Sequence, residues 1–510
     1  MATGVAALLA ASGLTACSGS AANQIDYVVD GALSTYNTNT SIGFASAGAQ
    51  AFARTLTGFG YHGPEGQVVA DHDFGTISVV GGSPLVLDYQ IADNAVYSDG
   101  KPVTCDDLVL AWAAQSGRFA GFDAATQAGY VDIANVECTP GQKKARVSFI
   151  PDRGVVDYTQ LFTATSMMPS HVISDTLGTD ITTALQNNKV SVVEQVARLW
   201  NSTWDLRPGV DAKHFPSSGP YKIERVLDGG AVVLVANDKW WGAKPITKRI
   251  TVWPQGGDIQ DRVNNRRVDV VDVAAGSSGA LATPDGYQSA DSPSGGIEQL
   301  IFAPQGALAA VPARRAFAFC TPRDAIARDA GVPIANSRLS PATEDALAAA
   351  DGTNEAAPFG KADPKAARDA LRGAPLTVRI GYRGPNARLA ATVGSIAASC
   401  APAGITVTNV TLDTSGPQAL RDSKIDVLLA STGGAPAAVP PGRRRWTPTR
   451  CTAATETTCP VTPTRRSTGS SVRWRSRPTR PSGPGCSPKA HPSCGATCRR
   501  CRCTGSSAPC

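Results

Sequence analysis

The chain has 510 residues, enough for two or three domains, and 42% of them are hydrophobic, as suits a soluble globular protein. Its formal charge of +6 is uneven: from Arg443 onward thirteen Arg and Lys489 face only Glu456, +13, which leaves −7 for the first 442 residues. A mildly acidic body argues against a nucleic-acid partner, and no internal repeat or transmembrane segment stands out.

The chain begins MATGVAALLAASGLTACSGSAANQ. The apolar run over residues 5–14 is too short to span a bilayer as a mature helix and fits the core of a secretory signal. Leu14-Thr15-Ala16-Cys17 resembles the bacterial lipobox, in which the cysteine is acylated and becomes the mature N-terminus. Residues 1–16 are therefore expected to be a signal peptide, Cys17 the lipidation site, and residues 17–25 a flexible tether. No Lys or Arg precedes the apolar run, so either the true start lies upstream or the leader is incomplete. Export implies an oxidising compartment. The four other body cysteines are expected to pair as Cys105 with Cys138 and Cys320 with Cys400, one of the three connectivities that four cysteines allow.

In chain order, a strand is predicted over 84–91, a helix over 105–114, a strand over 145–150 and a helix over 191–199. Strands follow over 230–236 and 249–253, helices over 312–320 and 364–371, then strands over 376–380 and 405–412. Asp363-Pro364 reads as a helix start, with Asp as the cap and Pro in the first turn. Asp99-Gly100 is a turn pair, and Thr104 followed by Asp106 and Asp107 reads as a capped helix start with acids at its positive end. Mixed elements over this length predict an α/β or mixed α+β chain with more than one lobe.

Catalytic patterns are absent. There is no GxSxG elbow, Walker A loop, HExxH pair or Rossmann fingerprint, and Ala274–Ala280 (AAGSSGA) lacks a P-loop lysine. The five histidines are scattered, and His62, Asp71, His72 and Asp73 read as a solvated loop rather than a metal site. No enzyme activity, cofactor or metal is expected.

Two blocks carry a resemblance. NAVYSDGKPVTCDDLVLAW, residues 94–112, combines a strand end, an aromatic, an Asp-Gly turn, a Pro and a Thr-capped acidic helix. PSSGPYKIERVLDGGAVVLVANDKWWGAKP, residues 216–245, reads as a Gly-Pro-Tyr strand, a Gly turn, a second strand and Asn-Asp-x-x-Trp-Gly. With weaker matches such as MPSHVI, DRVNNRRVDVVDV and SKIDVLLA in the same order, residues 25–432 resemble the extracytoplasmic solute-binding proteins of family 5, the oligopeptide and dipeptide type. The aromatics Tyr97, Trp112, Trp240 and Trp241 read as core residues.

The resemblance implies a two-lobed periplasmic-binding-protein-like fold of type II with a cleft between lobes. Residues 26–270 would form lobe I with its inserted subdomain, and 271–433 lobe II. It implies a substrate-binding lipoprotein of an ABC importer on the outer face of the cell membrane, capturing a peptide or other small ligand for a permease and its ATPase. Cleft candidates are Tyr36, Asn37 and Thr38 after the first strand, and Gln305, where the family often has Asn. The competing expectation is a non-transport binding or scaffolding lipoprotein acting in cell-envelope or glycolipid processes.

After Gly434 the periodicity stops, and Arg, Pro, Ser, Thr, Gly and Cys dominate to Cys510. Cys498 and Cys501 form one C-x-x-C pair with no regular second, so a zinc site is not expected. Read in the frame that joins the third base of each triplet to the next two, Trp446-Thr447 yields Asp, and Thr497-Cys498, Arg500-Cys501 and Arg502-Cys503 each yield Leu, Met or Val. That frame permits LWGDLPTLPLY, which resembles the family's closing strand. Residues 434–510 are therefore expected to be a frameshifted, disordered tail.

Overall fold

The computed structural model describes residues 23–62, 68–153, 158–256, 258–273, 281–289, 297–331, 334, 357–412 and 416–432. The signal, the first six tether residues, the 274–280 segment and the tail lie outside the described residues.

The strands in chain order are β1 (Gln24–Val29), β2 (Gly60–His62), β3 (Val68–Ala70), β4 (Gly75–Gly82) and β5 (Leu85–Ile91). Next come β6 (Ile133–Cys138), β7 (Lys144–Phe149), β8 (Tyr221–Val226), β9 (Val232–Ala236) and β10 (Arg249–Trp253). The last are β11 (Val270–Asp272), β12 (Ile297–Phe302), β13 (Leu376–Arg383), β14 (Ile405–Leu412) and β15 (Val427–Thr432).

A five-stranded sheet has the order β11-β1-β10-β9-β8, with β1 parallel to both of its neighbours. An antiparallel sheet, β4-β5-β7-β6, is inserted between β1 and β8 in the chain. One apolar core serves both and runs from Val29 to Val252, with Trp200, Trp204, Tyr36 and Tyr89 fully buried. The third sheet, β12-β15-β13-β14, has its own core from Leu308 to Leu429, where the helices Val311–Cys320 and Ala387–Cys400 pack. These are the two lobes of a mixed α/β fold. The expected boundary at residue 270 cuts β11, because Val270, Val271 and Asp272 pair with β1 in the first lobe.

Local chemistry accounts for the elements. In β5 the alternation LVLDYQI places Leu85, Leu87, Tyr89 and Ile91 inward. Gly100 takes φ +90° and Asp99 accepts the Lys101 N–H, closing the predicted turn. The helix Cys105–Gln115 begins as expected at Thr104, but the Thr104 hydroxyl donates to Asp106 Oδ2 (2.6 Å) and its N–H to Asp107 Oδ2 (3.3 Å). Disulfides join Cys105 to Cys138, tying this helix to the end of β6, and Cys320 to Cys400, tying the two helices of the second core. Tyr97 and Trp112 are buried, whereas Trp240 and Trp241 are only half-buried at the edge of the first sheet.

On the inserted sheet, Arg146 and Lys144 flank Asp88 at 2.7 and 3.1 Å. The hydrogen bond from Arg146, aided by Lys144, holds the Asp88 carboxyl down at about 2. The folded value lies below the unfolded one, so this contribution is present above about pH 4 and fades as pH falls toward 2. Both cations are well exposed, which screens the pair. Asp88→Asn is therefore expected to cost about 1 kcal/mol at pH 7 and almost nothing near pH 2, read by urea unfolding at the two pH values. An equal cost at both would refute the assignment.

Candidate functional site: the rim between the lobes

β1 delivers Asp30 and Gly31 to the edge where the first lobe meets the second. Gln50 clamps this edge: its Oε1 accepts the Asp30 N–H (3.0 Å) and its Nε2 donates to Asp272 O at the end of β11 (2.8 Å). Tyr27 donates to Asp272 Oδ2 (2.7 Å), and burial together with that carboxylate pushes the phenol up.

From the other side, β13 ends in Arg383. Its guanidinium donates to the backbone oxygens of Asp30 and Ala45 and stands 3.7 Å from the Asp30 carboxylate. Burial pulls the guanidinium down, and Asp30 opposes that shift. A Cβ on residue 31 would lie 2.6 Å from Arg383 Cζ, so only glycine admits this approach. Beside Arg383, Arg388 in the first turn of Ala387–Cys400 holds Glu298 of β12 through two bonds of 2.8 and 2.9 Å, and it also feels Asp30. Asp30, Arg383, Arg388 and Glu298 thus form one charged cluster on the rim.

A second contact flanks it. The short helices Ser41–Ala45 and Pro417–Arg421 meet across the lobes, and Arg421 donates to Ser41 Oγ and Asp123 Oδ1. A Cβ on Gly416 would lie 2.7 Å from Ser41 O, so this seam also needs a glycine. Ile42 and Phe44, on the outer side of the first helix, remain partly exposed at 43% and 38%.

The expected cleft residues divide. Tyr36 is 1% exposed, packs edge-on against Phe52 and Phe215, and bonds Ser217 Oγ at 3.1 Å. Asn37 is equally buried, donating to Trp200 O and accepting from Asn39. Both side chains brace the loop that leads to the rim. Thr38, half-buried, donates to Thr165 O at 3.5 Å. Gln305 is exposed in the turn after β12, between Ala303, whose N–H donates to Asp426 O, and Gly306, which faces the Asp426 carboxylate, and thus near the start of β15, whereas Arg383 lies at the far end of β13, which runs parallel to β15. The structure therefore does not bring Gln305 to the rim. Sequence reasoning missed Asp30, Arg383, Arg388 and Glu298. The only local signal was the strand end Arg383-Gly384-Pro385 before Asn386, whose side chain caps the next helix.

Among the described residues, the group with metal-ligand proximity is Cys105, Asp106 and Cys138, and its two sulfurs are joined in a disulfide. His72 lies in the turn set by Asp71, whose carboxylate accepts the Asp73 and Phe74 N–H groups. A hollow of about 540 Å³ lies on the inserted sheet between Glu137, Gln142 and Arg146, built from insertion residues alone. No helix among the described residues is long and apolar enough to cross a membrane.

Two lobes with separate cores, meeting at a charged rim, define a two-lobed binding protein. The family profile "Bacterial extracellular solute-binding proteins, family 5 Middle" matches residues 82–451, and the chain belongs to this family. It is 79% identical over 436 residues to the uncharacterized lipoprotein Rv2585c of Mycobacterium tuberculosis, covering 85% of this chain and 78% of that one. Over 189 residues it is 24% identical to the periplasmic oligopeptide-binding protein OppA of Salmonella typhimurium, 37% of this chain and 32% of that one. Among solved structures, Haemophilus influenzae OppA in complex with RPPGFSPFR aligns over 89% of this chain and 90% of its own, with TM-score 0.58 and 14% identity. The periplasmic EDTA-binding protein EppA aligns over 81% and 78%, with TM-score 0.55 and 17% identity. At such identities these structures establish the fold. The family matches are solute-binding proteins rather than enzymes.

Proposed function

We propose that the protein is the lipid-anchored substrate-binding subunit of an ABC importer, that it captures short peptides between its lobes, and that it hands them to a membrane permease. The rim cluster carries this reading. Two cations, Arg383 and Arg388, stand beside two acids, Asp30 and Glu298, at the mouth between the lobes. A zwitterionic ligand with a charged end of each sign would meet Arg388 and Glu298, whose side chains stay 33% and 30% exposed, while the Asp30 carboxylate stays buried against Arg383, and closing the lobes on it would exclude water and strengthen each pairing. Ligand binding would shift the lobes toward the closed form, which is the form a permease reads. Cys17 would bear the anchor, on the outer face of the membrane. Thr38 and the exposed face of Ser41–Ala45 would border the bound ligand.

The test is a thermal-shift screen with peptides of two to eight residues. It is run on the chain as it stands and on a chain whose reading frame is restored after Gly434. Free ligand at 100 times Kd is expected to add about 2.7 kcal/mol to stability. If no peptide of any length shifts either protein, the peptide reading is wrong, and a shift with envelope glycolipids alone would replace it with the scaffolding alternative.

A further inference from the structure

The edge of the first sheet opposite the rim has a composition the binding role does not use. Asn23 accepts the Lys248 N–H (2.9 Å), and Gln24 opens β1 beside Arg249. The loop from β9 to β10 therefore lies where the described chain begins. It reads Asn237-Asp238-Lys239-Trp240-Trp241-Gly242-Ala243-Lys244-Pro245-Ile246-Thr247-Lys248. Ile246 is 88% exposed, the most open large apolar side chain among the described residues. Trp240 and Trp241 pack with ring centroids 4.6 Å apart and planes tilted by 44°, and stay half-buried, with both indole N–H groups donating to backbone oxygens. Lys239, Lys244 and Lys248 are exposed, and none makes an ion pair with a carboxylate among the described residues. Lys244 and Lys248 donate to carbonyls of their own loop, and Asp238 is taken by Lys222 (2.6 Å). A cluster of lysines with aromatic and aliphatic side chains, on a body of net −7, is the chemistry of a surface that meets anionic lipid headgroups.

Chain length supplies the second argument. Cys17 and Asn23 are six residues apart, a reach of at most roughly 20 Å. An acyl chain on Cys17 holds this loop within that distance of the bilayer. We infer that the Asp238–Lys248 loop lies on the membrane surface, with Lys239, Lys244 and Lys248 against anionic phospholipid headgroups and Ile246 in the interfacial layer. The six residues of β1 then set the rim about 20 Å farther out, facing away from the loop's contact. The inference rests on acylation of Cys17.

The experiment is hydrogen exchange on the full acylated chain in vesicles containing about 30% phosphatidylglycerol, compared with the same chain in detergent, with mass spectrometry of Cys17 in parallel. The exchange readout is local, so the basic tail cannot imitate it. Amides of residues 238–248 are expected to slow at least fivefold on vesicles. The variant Lys244→Glu, Ile246→Asp, Lys248→Glu is expected to lose that protection while keeping its melting temperature, since all three side chains are exposed. Unchanged exchange in a chain that carries its acyl group overturns the inference alone. An unmodified Cys17 overturns the anchor reading and the inference with it. Protection that rises with protein concentration in the absence of vesicles assigns the loop to a second copy of the chain and overturns the lipid assignment.

Discussion

Asp107→Ala is expected to destabilise the first lobe by about 4 kcal/mol, read as a lower urea midpoint with an unchanged slope. The carboxylate sits in the first turn of Cys105–Gln115, 1% exposed. Its Oδ1 accepts from Ser170 N (2.8 Å) and Ser170 Oγ (2.6 Å), and its Oδ2 accepts from Tyr97 OH (3.0 Å) and Thr104 N (3.3 Å). Alanine leaves four donors in a water-excluded site, and each unmade bond costs about 1 kcal/mol or more. Burial pushes the Asp107 carboxyl up, against the Ser170 donors. Asp107→Asn keeps the shape and removes the charge, but its amide nitrogen can accept none of these bonds. It should therefore also destabilise, by less than alanine. A cost below 1 kcal/mol for alanine would show that the network is not what joins Tyr97, this helix and Ser170.

Arg383→Ala is expected to open the lobes. The side chain spans the rim to Asp30 and to the carbonyl of Ala45, and its removal takes one cation away from a carboxylate whose side chain is 4% exposed. Losing one partner of such a pair costs about 2–3 kcal/mol, which shifts the closed-to-open ratio by a factor of roughly 30–150. Small-angle scattering should give a larger radius of gyration for the variant, and peptide binding should weaken in step. Arg421→Ala serves as the comparison: its partner Asp123 is better exposed, so its effect should stay within about 1 kcal/mol. An unchanged scattering profile for Arg383→Ala would mean that the helix seam alone holds the lobes.

These two residues also mark how far the sequence could be read. Asp107 was legible as an acid at the positive end of a helix, because capping is decided within four residues. Its larger role was not legible: Ser170 lies 63 residues away, and nothing near Asp107 names it. Asp106 is a similar case, since it accepts from Gly141 N and Thr182 Oγ1 as well as from Thr104. Trp240 and Trp241 were read as core from their type alone, yet the loop leaves them half-buried, because burial depends on what the rest of the fold places over them.

The sequence by itself determined the strands with period two, the Asp99-Gly100 turn, the start of the Cys105 helix and the ordered blocks that mark family 5, since each depends on residues close along the chain. Tertiary structure alone decided the rim. Asp30 and Arg383 are 353 residues apart, and only the pairing of β1 with β10 and β11, and of β13 with β14 and β15, carries their strand ends to one edge. It likewise buried Tyr36 and Asn37, set Gln305 at the other end of its sheet, and laid the lysine-rich loop beside Asn23. Contacts of that separation are specified by sheet order and register, which no local pattern of residues encodes.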